Sequence, residues 1–351
     1  MKKVTWLLFL GYFLIFVIIG IVFYYKYLNR FISSGAEPAE VEIITAQRIY
    51  YSEAANLWAL NPDIASKIGE RSTRIQSTGS TGYLDFNSIN SLFAYAAINK
   101  NGTNDIWQFQ LKNNQSQKIT DLSYEILNDY VNFFRPKYSP TGGSLAFIGR
   151  GGSRDSILVK DLITGNIADA TPTSASHILD FSWNNDGEKI IYCTSNLEKN
   201  YCEIKPITAP QATQKIEIEV RQISWEKTAE IIYLSDGNLF RFKEGSFTPA
   251  TITNITSPKH VVSFDIDEKG KHLVCQINDN ESSDIYLSEI DGTNITELTS
   301  SKNSSQPLLS PEGDRVAFFR QNDGVYVIDA NKTAETKILN INNIDRLLIW
   351  R

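Results

Sequence analysis

The sequence predicts an all-β fold, a seven-bladed β-propeller, preceded by a single transmembrane α-helix. The propeller is predicted by a β-hairpin pattern that recurs about every 40–45 residues. The composition agrees, because the 18 Phe and 16 Tyr are residues that favour strands. The helix is predicted by one uncharged apolar stretch near the N-terminus. A chain of 351 residues can bury a large core without metals or disulfides.

The repeat is clearest where a strand, a short polar turn and a second strand follow one another, as in residues 134–150, 178–194, 262–277 and 306–321. The first strand of each copy ends in an apolar or aromatic residue. That position is occupied in turn by Phe86, Tyr138, Trp183, Trp225, Ile266, Leu309 and Trp350. Successive members are 52, 45, 42, 41, 43 and 41 residues apart. This is the spacing of propeller blades with four strands each.

The two ends of the repeat region predict how the ring closes. Residues 344–351 contain only the inner strand of a blade, whereas residues 48–62 resemble the second and third strands of one. Joining them completes a blade and leaves no free strand edge. The count is then seven blades. Six blades is the alternative if residues 46–76 do not pair.

Some repeat residues resemble those of a known family. Residues 139–142 (Ser-Pro-Thr-Gly) and 310–313 (Ser-Pro-Glu-Gly) are similar to the Ser-Pro-Asp-Gly turn of the WD40-like repeat in the TolB family. Residues 284–286 (Asp-Ile-Tyr) and 298–299 (Leu-Thr) are similar to its later strands. The resemblance covers roughly residues 46–351. It implies a propeller in a bacterial cell envelope, where such domains mediate protein contacts.

The N-terminal segment predicts a signal anchor. Residues 4–25 contain no charged side chain, and 22 helical residues span roughly 30 Å, the thickness of a bilayer core. Short N-terminal tails usually stay in the cytoplasm. We therefore expect a cytoplasmic end at 1–3, a transmembrane helix at 4–25, a stalk at 26–45 and a propeller at 46–351. The predicted localisation is a single-pass membrane protein with a periplasmic or cell-surface propeller.

The charge of the chain argues against nucleic-acid binding. Net charge is −6, and the first thirty residues carry four positive side chains and no acid, so residues 31–351 carry −10. An acidic domain repels phosphate backbones. The sequence therefore predicts a partner other than nucleic acid.

Motifs for catalysis are missing from the sequence. It contains no G-x-S-x-G or HExxH pattern, so we predict no metal, no cofactor and no enzymatic activity. The alternative is a propeller enzyme, a hydrolase or lyase acting on polysaccharide. That alternative predicts that Asp85, Asp180 and Asp265 of the inner strands converge in the central channel.

A candidate partner face comes from two irregular loops. The longest gap between blades contains the apolar and aromatic residues Tyr124, Ile126, Leu127, Tyr130 and Phe133, and a Gly-rich hairpin carries Arg150 and Arg154. Both loops are expected on the same face of a propeller, where they suit a protein, peptide or glycan partner. The alternative for the first loop is a short helix covering the next blade, and the alternative for the second is a flexible hairpin tip. The predicted function is a membrane-anchored binding module.

Two of the three cysteines are symmetrically placed about a predicted hairpin. Cys193 and Cys202 face each other if the turn centres between residues 197 and 198. A disulfide and two buried thiols are both compatible with this position.

Overall fold

The computed structural model describes residues 47–350, except 55, 63–71, 78–79, 114, 122, 153, 172–176, 196–199, 209–213, 226, 247, 281 and 332–333; within 72–82 only the backbone is described. The chain divides after residue 45 into two units. The unit that begins at residue 46 contains every described strand.

The described residues form seven four-stranded antiparallel sheets, each a propeller blade. Blade one contains β28 (Arg346–Trp350), β1 (Ile49–Glu53), β2 (Asn56–Leu60) and β3 (Ser72–Ser77). Blade two contains β4 (Ser80–Asn87), β5 (Leu92–Ile98), β6 (Asn104–Gln110) and β7 (Gln115–Lys118). Blade three contains β8 (Tyr130–Tyr138), β9 (Ser144–Gly151), β10 (Asp155–Asp161) and β11 (Ile167–Asp169). Blade four contains β12 (His177–Trp183), β13 (Lys189–Ser195), β14 (Asn200–Pro206) and β15 (Lys215–Ile216).

The remaining blades repeat the pattern. Blade five contains β16 (Gln222–Ser224), β17 (Glu230–Ser235), β18 (Asn238–Lys243) and β19 (Ala250–Thr251). Blade six contains β20 (Lys259–Ile266), β21 (His272–Asp279), β22 (Ser282–Glu289) and β23 (Thr296–Glu297). Blade seven contains β24 (Ser304–Leu309), β25 (Arg315–Arg320), β26 (Gly324–Asp329) and β27 (Glu335–Asn340). One short 3₁₀ helix, Glu125–Asp129, lies between blades two and three.

The core lies between adjacent blades. The second strand of a blade is buried along almost its whole length, as in β9, β13 and β25, because a neighbouring blade covers each of its faces. Such strands are nearly continuous apolar runs rather than alternating ones. One cluster joins Ile148 and Ile157 of blade three to Trp183 and Tyr192 of blade four. Further clusters of the same kind are found around the ring.

The ring closes as the sequence predicts. Strand β28 pairs antiparallel with β1, so that Trp350 lies opposite Ile49 and Ile349 opposite Tyr50. Blade one is therefore built from both ends of the described chain. The predicted all-β fold with seven blades is confirmed, and the six-bladed alternative is not observed.

The residues that resemble the TolB turn have a structural role. The Ser310 hydroxyl accepts a hydrogen bond from the Arg315 amide (3.0 Å) and donates one to Asp314 (2.8 Å). Gly313 closes the turn with a positive φ of 77°, and a side chain there would collide with Asp267 and His272 of blade six. Glycine meets both requirements of this turn.

Among the described residues there is no helix with the length and apolar character needed to span a bilayer. The predicted transmembrane helix, residues 4–25, lies outside the described residues, as do the predicted segments 1–3 and 26–45. The predicted single-pass localisation is corrected on this finding, because the described chain gives it no support.

Candidate functional site

The inner-strand carboxylates bond to the backbone of neighbouring blades. Asp85 accepts a hydrogen bond from the Tyr138 amide (2.6 Å) and Asp180 one from the Ile223 amide (3.1 Å). Asp265 does the same with the Leu309 amide (3.0 Å). Each of these bonds links the inner strand of one blade to that of the next. One oxygen of each acid is therefore committed to holding the ring together.

Other inner-strand side chains make equivalent links. Between blades three and four, Lys137 donates to the Phe181 carbonyl (2.5 Å) and the Trp183 indole donates to the Lys137 carbonyl (3.0 Å). Gln222 donates to the Phe264 carbonyl (2.9 Å), and Gln306 accepts from the Leu347 amide (2.7 Å). Polar side chains on the inner strands thus commonly form hydrogen bonds to the neighbouring blade.

The inner strands enclose a central channel that contains a cavity of about 480 Å³. Its charged lining consists of Asp85, Arg135, Lys137, Asp180, Lys227, Asp265, Glu268 and Arg346. The cavity extends to the turns that join the first and second strands, where it is bordered by Ile89, Pro140 and Asn185. Six of the seven blades contribute to its wall.

The charges in the channel are unevenly paired. The Asp180 carboxylate, 2% exposed, meets the Arg135 guanidinium at 2.9 Å and the Lys137 ammonium at 3.6 Å. The Lys227 ammonium lies 3.7 Å from Asp265 and donates to the Ile266 carbonyl at 2.7 Å. Within the described part of the chain, Arg346 makes neither an ion pair nor a hydrogen bond through its side chain. Asp180 therefore pairs with two cations, while a third, Arg346, has no ion pair among the residues that the structure describes.

Arg135 reaches the channel because its strand is irregular. The pairing of β8 with β9 shifts between Phe134 and Lys137, and Arg135 has a positive φ of 52°. An Arg residue in this conformation is uncommon. The bulge aims its side chain at the channel, where it also lies over the Tyr83 ring at 5.2 Å.

The predicted partner face belongs largely to the core. Leu127, Tyr130 and Phe133 are at most 3% exposed and pack between blades two and three. Tyr124 and Ile126 are half-buried against the same cluster. The alternative expectation, a short helix covering the next blade, describes this segment, because the 3₁₀ helix Glu125–Asp129 and the start of β8 cover the blade interface.

The two arginines of that face are paired within their own blade. Arg150 makes bidentate bonds to the buried Asp155 carboxylate (3.0 and 2.9 Å) and lies over the Phe134 ring. Arg154 lies 3.4 Å from Asp169 and over the Tyr130 ring. Bidentate pairing of this kind fixes a hairpin in position. Both guanidinium groups are occupied by structural partners.

Cys193 and Cys202 are directly opposite each other in the pairing of β13 with β14, and their sulfur atoms are bonded. Both residues are buried. The third cysteine, Cys275, is a buried free thiol, and its burial raises its pKa to about 12.

Thiol labelling checks this pairing. We expect the protein, unfolded without reductant, to react with iodoacetamide at one cysteine, Cys275, because the other two sulfurs are bonded. After reduction, all three cysteines should react. Mass spectrometry of the labelled chain counts the adducts. Three adducts without reductant would contradict the disulfide.

No group of three or more His, Cys, Asp or Glu side chains with metal-binding placement occurs among the described residues. His272 instead pairs with the buried Asp267 carboxylate (2.9 Å) beside the turn of blade seven.

No family model and no curated protein matches the sequence. Solved structures match the fold. TolB from Acinetobacter baumannii has a TM-score of 0.52 and 15% identity, over 74% of this chain and 66% of that chain. An oligogalacturonate lyase in complex with manganese has a TM-score of 0.58 and 11% identity, over 84% and 85%. An acylaminoacyl peptidase from Pyrococcus horikoshii has a TM-score of 0.52 and 13% identity, over 71% and 44%.

At such identities these likenesses concern the fold alone, and this chain spans less than half of the peptidase. They nevertheless correct one prediction. The prediction of no enzymatic activity is wrong as an inference from missing motifs, because proteins with this fold include a lyase and a peptidase. The chain is a seven-bladed β-propeller whose structural neighbours include TolB and several enzymes.

Proposed function

We propose that this protein binds a charged saccharide in the central channel, at the end bordered by the turns between first and second strands. The observation that carries the proposal is the cavity of about 480 Å³ and its charged lining. Ligand sites typically measure about 300–1,000 Å³. The lining here is unusually rich in charge, which suits a polar ligand.

The closed ring favours binding at this place. Inter-blade bonds such as those of Asp85 and Gln222 fix the inner strands, so the channel wall is preorganised. A preorganised site loses little conformational entropy when a ligand binds. Binding is common to receptors and enzymes, so the proposal does not depend on whether the ligand is converted.

Among the predicted partners, a glycan suits this cavity better than a folded protein. A stable protein interface buries about 800 Å² on each partner over a broad surface, whereas the cavity is enclosed by six blades. One protein of the same fold is an oligogalacturonate lyase. A galacturonate trimer is therefore a suitable first probe, together with its neutral methyl ester.

Isothermal titration calorimetry tests the proposal. Ser224 lines the channel, and a larger side chain there would occupy ligand volume. We expect Ser224→Phe to weaken binding of the trimer by at least about tenfold, equivalent to about 1.4 kcal/mol.

The matched control is Ser246→Phe, on an exposed turn of blade five outside the channel, which should bind as the unmodified protein does. Equal affinity of both variants, or no binding of either probe to the unmodified protein, would refute the proposal.

A further inference from the structure

We propose that Arg346 and Arg135 form a subsite for the carboxylate group of the channel ligand. The inference rests on the proposed function and narrows it to an acidic sugar. The two residues come from blades one and three and line the same cavity.

Arg346 is the main observation. Its side chain has no ion pair or hydrogen bond among the described residues, although it lines the channel. Desolvation, followed by repulsion from the Arg135 guanidinium, lowers the pKa of Arg346 below its ordinary value. Attraction to Tyr83 and Asp180 offsets this only in part, so a bound anion would further stabilise the charge of this guanidinium.

Arg135 supplies the second donor. One of its nitrogens bonds to Asp180, and the positive φ of its bulge directs the side chain into the channel. A planar guanidinium carries five N–H donors. Engagement of one nitrogen by Asp180 therefore leaves further donors for a ligand.

The local charge favours a carboxylate over a phosphate. In blades one to four, the channel is lined by the cations Arg135, Lys137 and Arg346 and by the acids Asp85 and Asp180. Their formal sum is one positive charge, whereas the whole lining, which adds Lys227, Asp265 and Glu268 of blades five and six, is neutral. A carboxylate matches the local charge at blades one to four, whereas a phosphate dianion would bring a further negative charge into a channel that is neutral as a whole.

Charge-dependent binding tests the subsite. We expect Arg346→Gln to weaken binding of the galacturonate trimer by about ten- to a hundredfold, the range for hydrogen bonds to charged groups. Its affinity for the methyl ester should not change, because the ester has no charge to recognise. Arg346→Lys should retain part of the affinity, since lysine keeps the positive charge but lacks the planar guanidinium that can bond both carboxylate oxygens.

The matched control is Arg241→Gln on β18 of blade five. It removes a guanidinium that pairs with Glu230 at 3.0 Å outside the channel, and it should bind both probes normally.

A measurement without ligand separates a binding role from a structural one. We expect the melting temperature of ligand-free Arg346→Gln to equal or exceed that of the unmodified protein, because the guanidinium has no ion pair or hydrogen bond among the described residues and its surroundings on balance disfavour its charge. A lower melting temperature would contradict the inference.

The two proposals fail in different ways. If the ester binds as tightly as the acid, or if Arg346→Gln weakens both equally, the carboxylate subsite is refuted and the saccharide channel stands. If neither probe binds to the unmodified protein, both proposals are refuted. Stronger competition by inorganic phosphate than by acetate, a monocarboxylate, would also overturn the choice of a carboxylate.

Discussion

A chain truncated before Arg346 is expected to lose its cooperative thermal unfolding transition and to aggregate. The deletion removes β28, the inner strand of blade one, and with it the buried side chains of Leu347, Ile349 and Trp350. Loss of one large buried side chain typically costs about 2–5 kcal/mol. Three such losses reach the total stability of an ordinary domain, about 5–15 kcal/mol.

The deletion also opens the ring. Without β28, strand β1 presents an unpaired edge, and such edges pair with other chains. Circular dichroism during heating and light scattering after size-exclusion chromatography measure the two effects.

Removal of Arg351 alone is the control, because it leaves β28 intact and should melt as the full chain does. A monomeric truncated chain with an unchanged melting temperature would show that closure through β28 contributes little.

The sequence predicts the ring well because the information is local. Each blade repeats a hairpin whose paired residues are close in sequence, as Ser310 is to Arg315 and Trp183 is to Ile190. Closure of the ring can also be predicted, because residues 344–351 supply only the inner strand of a blade and residues 48–62 supply the strands that follow it. The cysteine register follows from symmetry about one turn.

The channel site could not be predicted from the sequence in the same way. Arg346 and Arg135 lie in blades one and three, and they line the same cavity because of the bulge in β8 and the way the blades pack. Neither is encoded by a local pattern. The sequence does place polar residues on the inner strands. It does not show which of them bond to the next blade, as Asp180 does, and which have no described partner, as is the case for Arg346.

The 121–134 segment shows why two interpretations, an exposed partner loop and a short helix covering the next blade, stayed open at the sequence level. An aperiodic stretch with many aromatics resembles an exposed loop, because helical or strand periodicity is the usual signal of burial. In the structure, Tyr130 and Phe133 already belong to β8, and Leu127 fills the interface between blades. Exposure of such residues depends on the neighbouring blade and could not be predicted from the segment itself.

Replacing Asp180 by alanine is expected to lower the free energy of unfolding by about 3–5 kcal/mol, as for other broken buried ion pairs. Its carboxylate is 2% exposed and joins three blades, through Arg135 of blade three and the Ile223 amide of blade five. Urea unfolding measures the loss. Glu244→Ala is the control, because it breaks an exposed ion pair with Lys189, and we expect it to cost less than about 1 kcal/mol.

A second substitution at Asp180 distinguishes the structural role of the channel residues from their proposed role in ligand binding. Asp180→Asn keeps an acceptor for the Ile223 amide but removes the charge that occupies Arg135. We therefore expect a smaller loss of stability than with alanine and a tighter affinity for the galacturonate trimer, because Arg135 becomes available to the ligand. Affinity and stability would then change in opposite directions. A parallel loss of both would instead mean that Asp180 contacts the ligand or shapes its site.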